Sequence, residues 1–408
     1  MSVIVILLYL LSFLLIWQFV GYPSLMAIVA LRAKPKNKDY SFQPFVSIIV
    51  PTYNEEKVIE KRIKNLFELD YPKDKYEIIV VDSGSADSTA QIVEKLIEKH
   101  CSSGLNLRLI KEEERKGKAS AINLGKKHAK GEIVLVTDAN SIFDKNVLKE
   151  MMPHFKNPKV GAVGGRYCVA NPENKLAASE SFYWDLEYIM RKGESVLDSA
   201  CLFHGEINAW RKELVDADTS MLSEDLDMCI KIRKKGYKIE YEPKAKVYEP
   251  SATTPEDQIK QRKRTSIGTI QNMFKHLSYF IPPRDWYSLL IFPSHKALAM
   301  FSPFILLAIP ILYIVAWDIR IVFMHFVLTI FIFAGMLALL MSLKSRLNKD
   351  EKVKSNFPIF SIPKITYYVL LNEYLILLAW RDFIFRKYSV LWEKSESTRQ
   401  LIWHVRSR

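Results

Sequence analysis

From Val3 to about Leu31 the chain carries almost nothing but apolar side chains and no charge, a stretch long enough to cross a hydrocarbon layer of roughly 30 Å. Such a segment is poorly tolerated in water, so whatever the rest of the chain folds into is tied to a bilayer. A removed signal peptide would open on basic residues and show a shorter apolar run with a small-residue cleavage site. Met1-Ser2 supplies no such opening. Residues 1–31 are therefore read as a membrane helix kept in the mature protein.

Two further spans are predicted at Leu298–Ala316 and Ile321–Leu343, separated by the turn Trp317, Asp318, Ile319, Arg320, which makes residues 297–343 a helical hairpin. Within the basic region 344–408, a fourth stretch, Ile365–Trp380, is shorter and carries Asn372 and Glu373, both costly in hydrocarbon unless they face protein or water. It is read as interfacial or re-entrant rather than crossing. Arg32, Lys34, Lys36 and Lys38 follow the first span, and the positive-inside tendency puts them and the domain after them in the cytoplasm. Lys344, Arg346 and Lys349 agree with this after an out-and-back hairpin. Arg381, Arg386 and Lys387 agree only when the fourth stretch does not cross. In a chain of 408 residues with a formal net charge of +13, anionic lipid accounts for the excess base more cheaply than nucleic acid once membrane spans are present. Cys101, Cys168, Cys201 and Cys229 lie far apart in sequence and are expected as reduced core residues rather than a metal site or a disulfide framework.

Between residues 40 and 250, short β-branched runs alternate with helical patterns, which predicts an α/β domain on a mostly parallel sheet. Val46–Val50 is a buried strand, Pro51–Asn54 turn the chain, and Val58, Ile59, Ile63, Leu66 and Phe67 recur at helical spacing. Glu77–Val81 is the next strand, followed by the turn Asp82-Ser-Gly-Ser-Ala-Asp87 and a helix from about Ala90. Leu105–Ile110 and Glu132–Val136 are further strands, with a helix over Gly117–His128 between them. In open parallel sheets ligands sit beyond the carboxyl ends of the strands, and Asp82 and Asp138 both lie at such ends. Residues 251–296 mix Lys260, Arg262, Lys263 and Arg264 with Ile259, Ile267, Ile270, Met273 and Phe274, the pattern of an interfacial amphipathic helix.

Each candidate for chemistry has a plainer reading beside it. Asp82 can accept hydrogen bonds from a base or ribose, or cap its own turn. Asp138 with Asn140 offers two oxygen ligands for a hard cation, Mg2+ or Mn2+, or an Asx turn. Glu224 and Asp225 open a helix, where acidic residues serve the helix dipole, yet a carboxylate there beside a crevice is also placed to act as a general base. Gln261 with Arg264 can bind lipid headgroups or stabilise a departing diphosphate.

Taken in order, these residues resemble the family-2, inverting, membrane-bound glycosyltransferases that include cellulose, chitin, hyaluronan and poly-N-acetylglucosamine synthases. The likeness runs from about Val46 to Arg264. Pro51, Asn54 and Glu55 fall on the family's Pro-x-x-Asn-Glu turn, and Asp82 on its nucleotide-contacting aspartate. Gly-Lys118-Ala-Ser-Ala-Ile-Asn123 is similar to its Gly-Lys-x-x-Ala-x-Asn segment near the nucleotide. Asp138 falls on the first aspartate of the metal motif, Phe203–Arg211 on the segment before the acceptor site, and Glu224-Asp225 on the pair whose aspartate is the catalytic base. Gln261 and Arg264 begin a Gln-x-x-Arg-Trp motif. Two positions depart from the pattern. Asn140 replaces the second metal aspartate, and Thr265 replaces the tryptophan near the acceptor end of the site in processive synthases.

The resemblance implies a nucleotide-sugar-binding GT-A (Rossmann-like) domain flanked by transmembrane helices, a divalent cation, and a nucleotide-sugar donor, with a UDP-sugar favoured. It implies a polysaccharide, glycolipid or lipid-linked acceptor, membrane lipid as surroundings, and no nucleic acid. With Thr265 in place of the ring, transfer of one or a few sugars is expected rather than a long chain, and a polymer channel would need an oligomer. The rival readings are a polyprenyl-phosphate sugar transferase, and a non-catalytic membrane assembly or sensing protein that keeps the fold.

Overall fold

The structure, a computed structural model, describes residues 2–34, 37–100, 106–171, 175–251, 254–316, 318–347 and 362–390. Lys36, Cys101, Trp317 and Lys349, and residues 391–408 of the basic tail, lie outside the described residues. The chain divides into two compact units, one built from Pro35–Tyr188 and Leu202–Gln261 with residues 388–408, the other from Met1–Lys34, Ile189–Cys201 and Arg262–Lys387.

The first unit is an eight-stranded sheet in the order β3-β2-β1-β4-β7-β6-β8-β5. The strands are β1 (Val46–Thr52), β2 (Tyr76–Ser83), β3 (Leu107–Glu112), β4 (Ile133–Val136), β5 (Ile142–Phe143), β6 (Val160–Val169), β7 (Asn208–Arg211) and β8 (Lys238–Glu249). β1 to β4 pair in parallel, as the alternating pattern predicts. β2 and β4 are buried throughout, and β4 and the Ile78–Val81 stretch of β2 are unbroken apolar runs because both faces are covered. The second half is mixed. β7 runs antiparallel to β4 and β6, and β5 antiparallel to β8, while β6 and β8 are parallel with two register irregularities. The helix Lys118–His128 lies against β1 and β2 at Gly125, where an added Cβ would stand 2.7 Å from Ile49 Cγ2.

A buried ionic knot ties the entry of this unit to its sheet. Lys38 Nζ lies 2.5 Å from Glu150 Oε2 and 2.6 Å from Glu242 Oε2, and His154 Nε2 is 2.7 Å from that same Glu242 oxygen. Lys38 is thus a structural charge and not part of a lipid-facing cluster. Burial would raise the Glu242 carboxyl, but the His154 hydrogen bond and the Lys38 charge outweigh it and hold it below its ordinary 4.5. The stability this carboxylate adds is therefore complete above pH 4.5 and is lost as the pH falls below that value. Glu242→Gln is expected to cost about 2 kcal/mol at neutral pH, read as a lower unfolding midpoint, with the deficit shrinking in acid. An unchanged midpoint at pH 7 would show the knot to be energetically idle.

In the second unit three helices are long and apolar enough to cross a membrane, Val3–Leu31, Tyr287–Ala316 and Ile319–Leu347. The middle one begins well before Leu298. Its polar first turns are accommodated because His295 Nδ1 lies 2.6 Å from Glu194 Oε1, which also accepts from Tyr22 Oη at 2.6 Å. The other Glu194 oxygen accepts the Cys201 N–H at 2.9 Å. The fourth stretch lies in the helix Ile362–Ile384, where Glu373 is buried and accepts from Ser302 Oγ at 2.6 Å, so this carboxyl faces protein. The basic amphipathic stretch forms the helix Pro255–Lys275, but Ile267, Ile270 and Met273 are buried within the protein. The apolar face read as lipid-facing is instead core, because one period serves either purpose. Phe274 alone of that set remains half exposed, and Lys263 pairs with Asp382. Among the described residues Cys168, Cys201 and Cys229 are thiols, not disulfide partners, as expected.

Candidate active site

Three carboxylates from separate parts of the sheet converge. Asp138 follows β4, Glu206 precedes β7 and Glu249 ends β8, and each offers an oxygen within 4.8 Å of the others. Glu206 Oε2 is buried with no hydrogen-bond partner. Burial, then repulsion by Glu249 and Asp138, pushes the Glu206 carboxyl up to about 8. Asn140, expected as the second cation ligand, instead donates from Nδ2 to Glu249 Oε1 at 2.7 Å, while Ser141 Oγ donates to Glu249 Oε2 at 3.1 Å. Asn140 thus holds Glu249 in place, and the oxygens that accompany Asp138 come from Glu206 and Glu249.

Two cations face this negative charge. Lys118 Nζ lies 2.5 Å from Asp138 Oδ1. Burial would lower its pKa, but Asp138, Glu224 and Glu206 outweigh that and hold the ammonium above its ordinary range. Arg62 is buried, donates to Thr137 Oγ1 and Asn65 Oδ1 at 2.6 Å each, and lies over the Phe143 ring at 4.1 Å. Its burial pushes it down to about 9, against the pull of Asp138 and Glu249.

The helix Glu224–Lys234 delivers the acidic pair. Glu224 is buried, whereas Asp225 is the one residue between Met221 and Ile230 that is not. Asp225 Oδ1 accepts the Leu226 N–H at 2.8 Å. A methyl group built on Gly205 would stand 3.1 Å from Lys118 Nζ and 4.0 Å from Asp225 Oδ2, so both side chains reach the neighbourhood of this glycine. Asn123 has a positional task. Its amide donates to Ala217 O at 2.8 Å and accepts from Ala217 N at 2.9 Å, fixing the segment that leads to Asp225.

On the other side, the loops after β1 and β2 are laced together. Asn54, at φ 52°, donates its N–H to Ser85 Oγ at 2.8 Å and accepts the Ala86 N–H at 2.7 Å. The Glu55 N–H donates to Thr89 Oγ1 at 2.7 Å. Pro51 pairs in register with Val81, one residue before Asp82. Asp82 is buried and accepts from both the N–H and the hydroxyl of Ser85, so its turn-capping task is realised. Gln261 is exposed and ends one unit, while Arg264 belongs to the other, so the sheet does not fix Arg264.

Sequence reasoning missed Glu206, Glu249 and Arg62. Glu206 stands within the Phe203–Arg211 segment and Glu249 ends an alternating run, but no spacing links them to Asp138. Together the carboxylates can hold a hard cation, and the partly exposed Asp225 carboxylate can take a proton from a bound hydroxyl.

Residues 47–220 match the family described as Glycosyl transferase family 2. The poly-beta-1,6-N-acetyl-D-glucosamine synthase of Staphylococcus aureus (strain COL) is 31% identical over 229 residues, 55% of this chain and 54% of that protein. The synthase of the same name from Staphylococcus epidermidis is 29% identical over 229 residues, with the same shares covered. The chain spans about half the length of the curated relatives it matches. Among solved structures, mannosyltransferase PcManGT from Pyrobaculum calidifontis, in complex with GDP-Man and Mn2+, aligns with a TM-score of 0.67 at 26% identity, covering 95% of this chain and 99% of that one. The mixed, mostly parallel sheet is accordingly the GT-A-like fold.

Proposed function

We propose that this chain, whose residues 47–220 match glycosyl transferase family 2, acts as a membrane-bound inverting glycosyltransferase, moving a sugar from a nucleotide-sugar donor to a glycan or lipid-linked acceptor on the cytoplasmic side. The observation that carries this reading is the cluster of Asp138, Glu206 and Glu249 with Lys118 paired to Asp138, and Asp225, partly exposed in a buried segment, near the same glycine as Lys118.

Asp225 takes the proton of an acceptor hydroxyl as that oxygen attacks the anomeric carbon from the face opposite the leaving diphosphate. Lys118, kept charged by its carboxylates, balances the negative charge that grows on the diphosphate. Asp82, with the laced turn of Pro51, Asn54 and Glu55, bounds the nucleoside, and Gln261 contributes from the helix Pro255–Lys275. The orphaned Glu206 oxygen and its two neighbours suit a hard cation, so Asp138, Glu206 and Glu249 would hold Mg2+ or Mn2+. Bound there, such an ion supplies positive charge to the departing diphosphate. The Mn2+ and GDP-Man of PcManGT support a cation and a nucleotide sugar here.

The test is nucleoside-diphosphate release by detergent-purified protein from UDP-N-acetylglucosamine, UDP-glucose and GDP-mannose, with Mn2+ and a membrane-lipid extract. One donor is expected to react, its α-linked sugar appearing as a β-linked product by NMR. Chelation with EDTA is expected to lower the rate by about 100-fold, restored by added Mn2+. Saturable nucleotide binding without release from any donor would favour the non-catalytic reading.

A further inference from the structure

Next to the carboxylates lies a group of rings that the mechanism above does not use. His204 Nδ1 is 3.8 Å from Glu206 Oε2. The His204 ring stands edge-on to Trp184 at a centroid separation of 4.8 Å and lies 5.4 Å from Tyr167. Tyr167 is in turn 4.6 Å from Trp184, and Tyr183 packs against the indole edge-on at 5.0 Å. β6 supplies Tyr167, the connection before β7 supplies His204, and the helix Lys175–Leu197 supplies Trp184.

Tyr167 packs against the edge of the sheet's core. Trp210, on β7, is 1% exposed, whereas Trp184 and Tyr167 each keep part of their surface exposed. Large rings that keep some surface in water beside a charged cluster offer an apolar patch that an amphipathic ligand can cover. A pyranose ring has that character, since one face carries mainly C–H bonds that are attracted to the negative face of an indole, while its hydroxyls point outward.

We propose that Trp184, held by Tyr167 and His204, is the acceptor platform of this site, and that the acceptor is a sugar ring stacked on it rather than a bare lipid phosphate. The inference rests on the transferase reading and narrows its acceptor to a pyranose, whether free or carried on a lipid. Trp184 is a binding residue and takes no part in proton or charge transfer.

The test uses the full-length protein in detergent with Mn2+, titrated by saturation-transfer NMR with soluble gluco-, manno- and N-acetylgluco-oligosaccharides in one arm and glycolipid micelles in the other. Wild type is expected to bind one sugar series, and the arm in which it binds tells free glycan from lipid-linked sugar. Trp184→Ala should weaken that binding at least tenfold, and Trp184→Phe should restore most of it. In turnover, Trp184→Ala should raise the acceptor KM while the donor KM and the slow release of nucleoside diphosphate into water stay unchanged. Equal sugar binding by Trp184→Ala and wild type, or no sugar bound by wild type in either arm, would overturn the proposal. Sugar binding that depends on Trp184 in a protein that turns over no donor would instead sink the transferase reading and leave the platform standing.

Discussion

Asp225→Asn will lower sugar transfer by about 1,000-fold, within the range for loss of a general base, while nucleotide affinity changes by less than about twofold. The substitution keeps the shape of the side chain and its capacity to accept the Leu226 N–H, which in the native protein lies 2.8 Å from Oδ1. What disappears is the ability to take a proton. An acceptor hydroxyl must then lose its proton to water, and the barrier rises although the donor still sits in place. The measurement is product formation against nucleotide binding in the same preparation. Undiminished transfer would remove Asp225 from the chemistry and, with a polyprenyl-phosphate sugar as the product, would favour the rival in which a phosphate oxygen attacks without needing a base.

Glu206→Gln will weaken Mn2+ binding by about 100-fold and will flatten its pH dependence. Burial and its acidic neighbours push Glu206 up to about 8, so in the cation-free protein the carboxyl is protonated below that pH. Binding a cation must expel this proton, and the apparent affinity of wild type therefore rises by about tenfold per pH unit until roughly pH 8, then levels. Glutamine has no proton to expel. A Mn2+ titration followed by electron paramagnetic resonance across pH 6–9 reads both effects. A wild-type affinity independent of pH over that span would show that Glu206 is ionised before the cation arrives.

The contrast between these two residues shows where a sequence stops being legible. Asp225 could be read because it opens a helix within an acidic pair, a local context that a short window displays. Glu206 and Glu249 are isolated acids, brought together with Asp138 by the pairing of β6 with β7 and β8. The first half of the sheet was legible for the same reason as Asp225. β2 and β4 are buried along their whole lengths, and Ile78–Val81 and Ile133–Val136 within them are continuous apolar runs. β6 does not, since Gly161, Gly164 and Gly165 dilute it; the neighbouring Tyr237 and Ile207 leave no room for a Cβ at the first and last of these. Asn140 shows the same limit, because an amide can offer a cation its oxygen and a carboxylate its nitrogen, and the bond from its nitrogen to Glu249 depends on a strand that no local window displays. Lys38 read as one basic residue among several until Glu150 and Glu242 closed around it.

The order of strands also governs when chemistry becomes possible during synthesis. β8 is the last strand of the sheet to leave the ribosome, and it carries Glu249 as its final residue. A nascent chain that has exposed β5 and β6 has the neighbours β8 will join but one carboxylate too few, while the apolar segment Val3–Leu31 emerged before them. Closing long-range pairings late in the chain is slow compared with forming local helices. The carboxylate cluster is therefore absent from every unfinished chain short of residue 249, and an interrupted translation product is born without it.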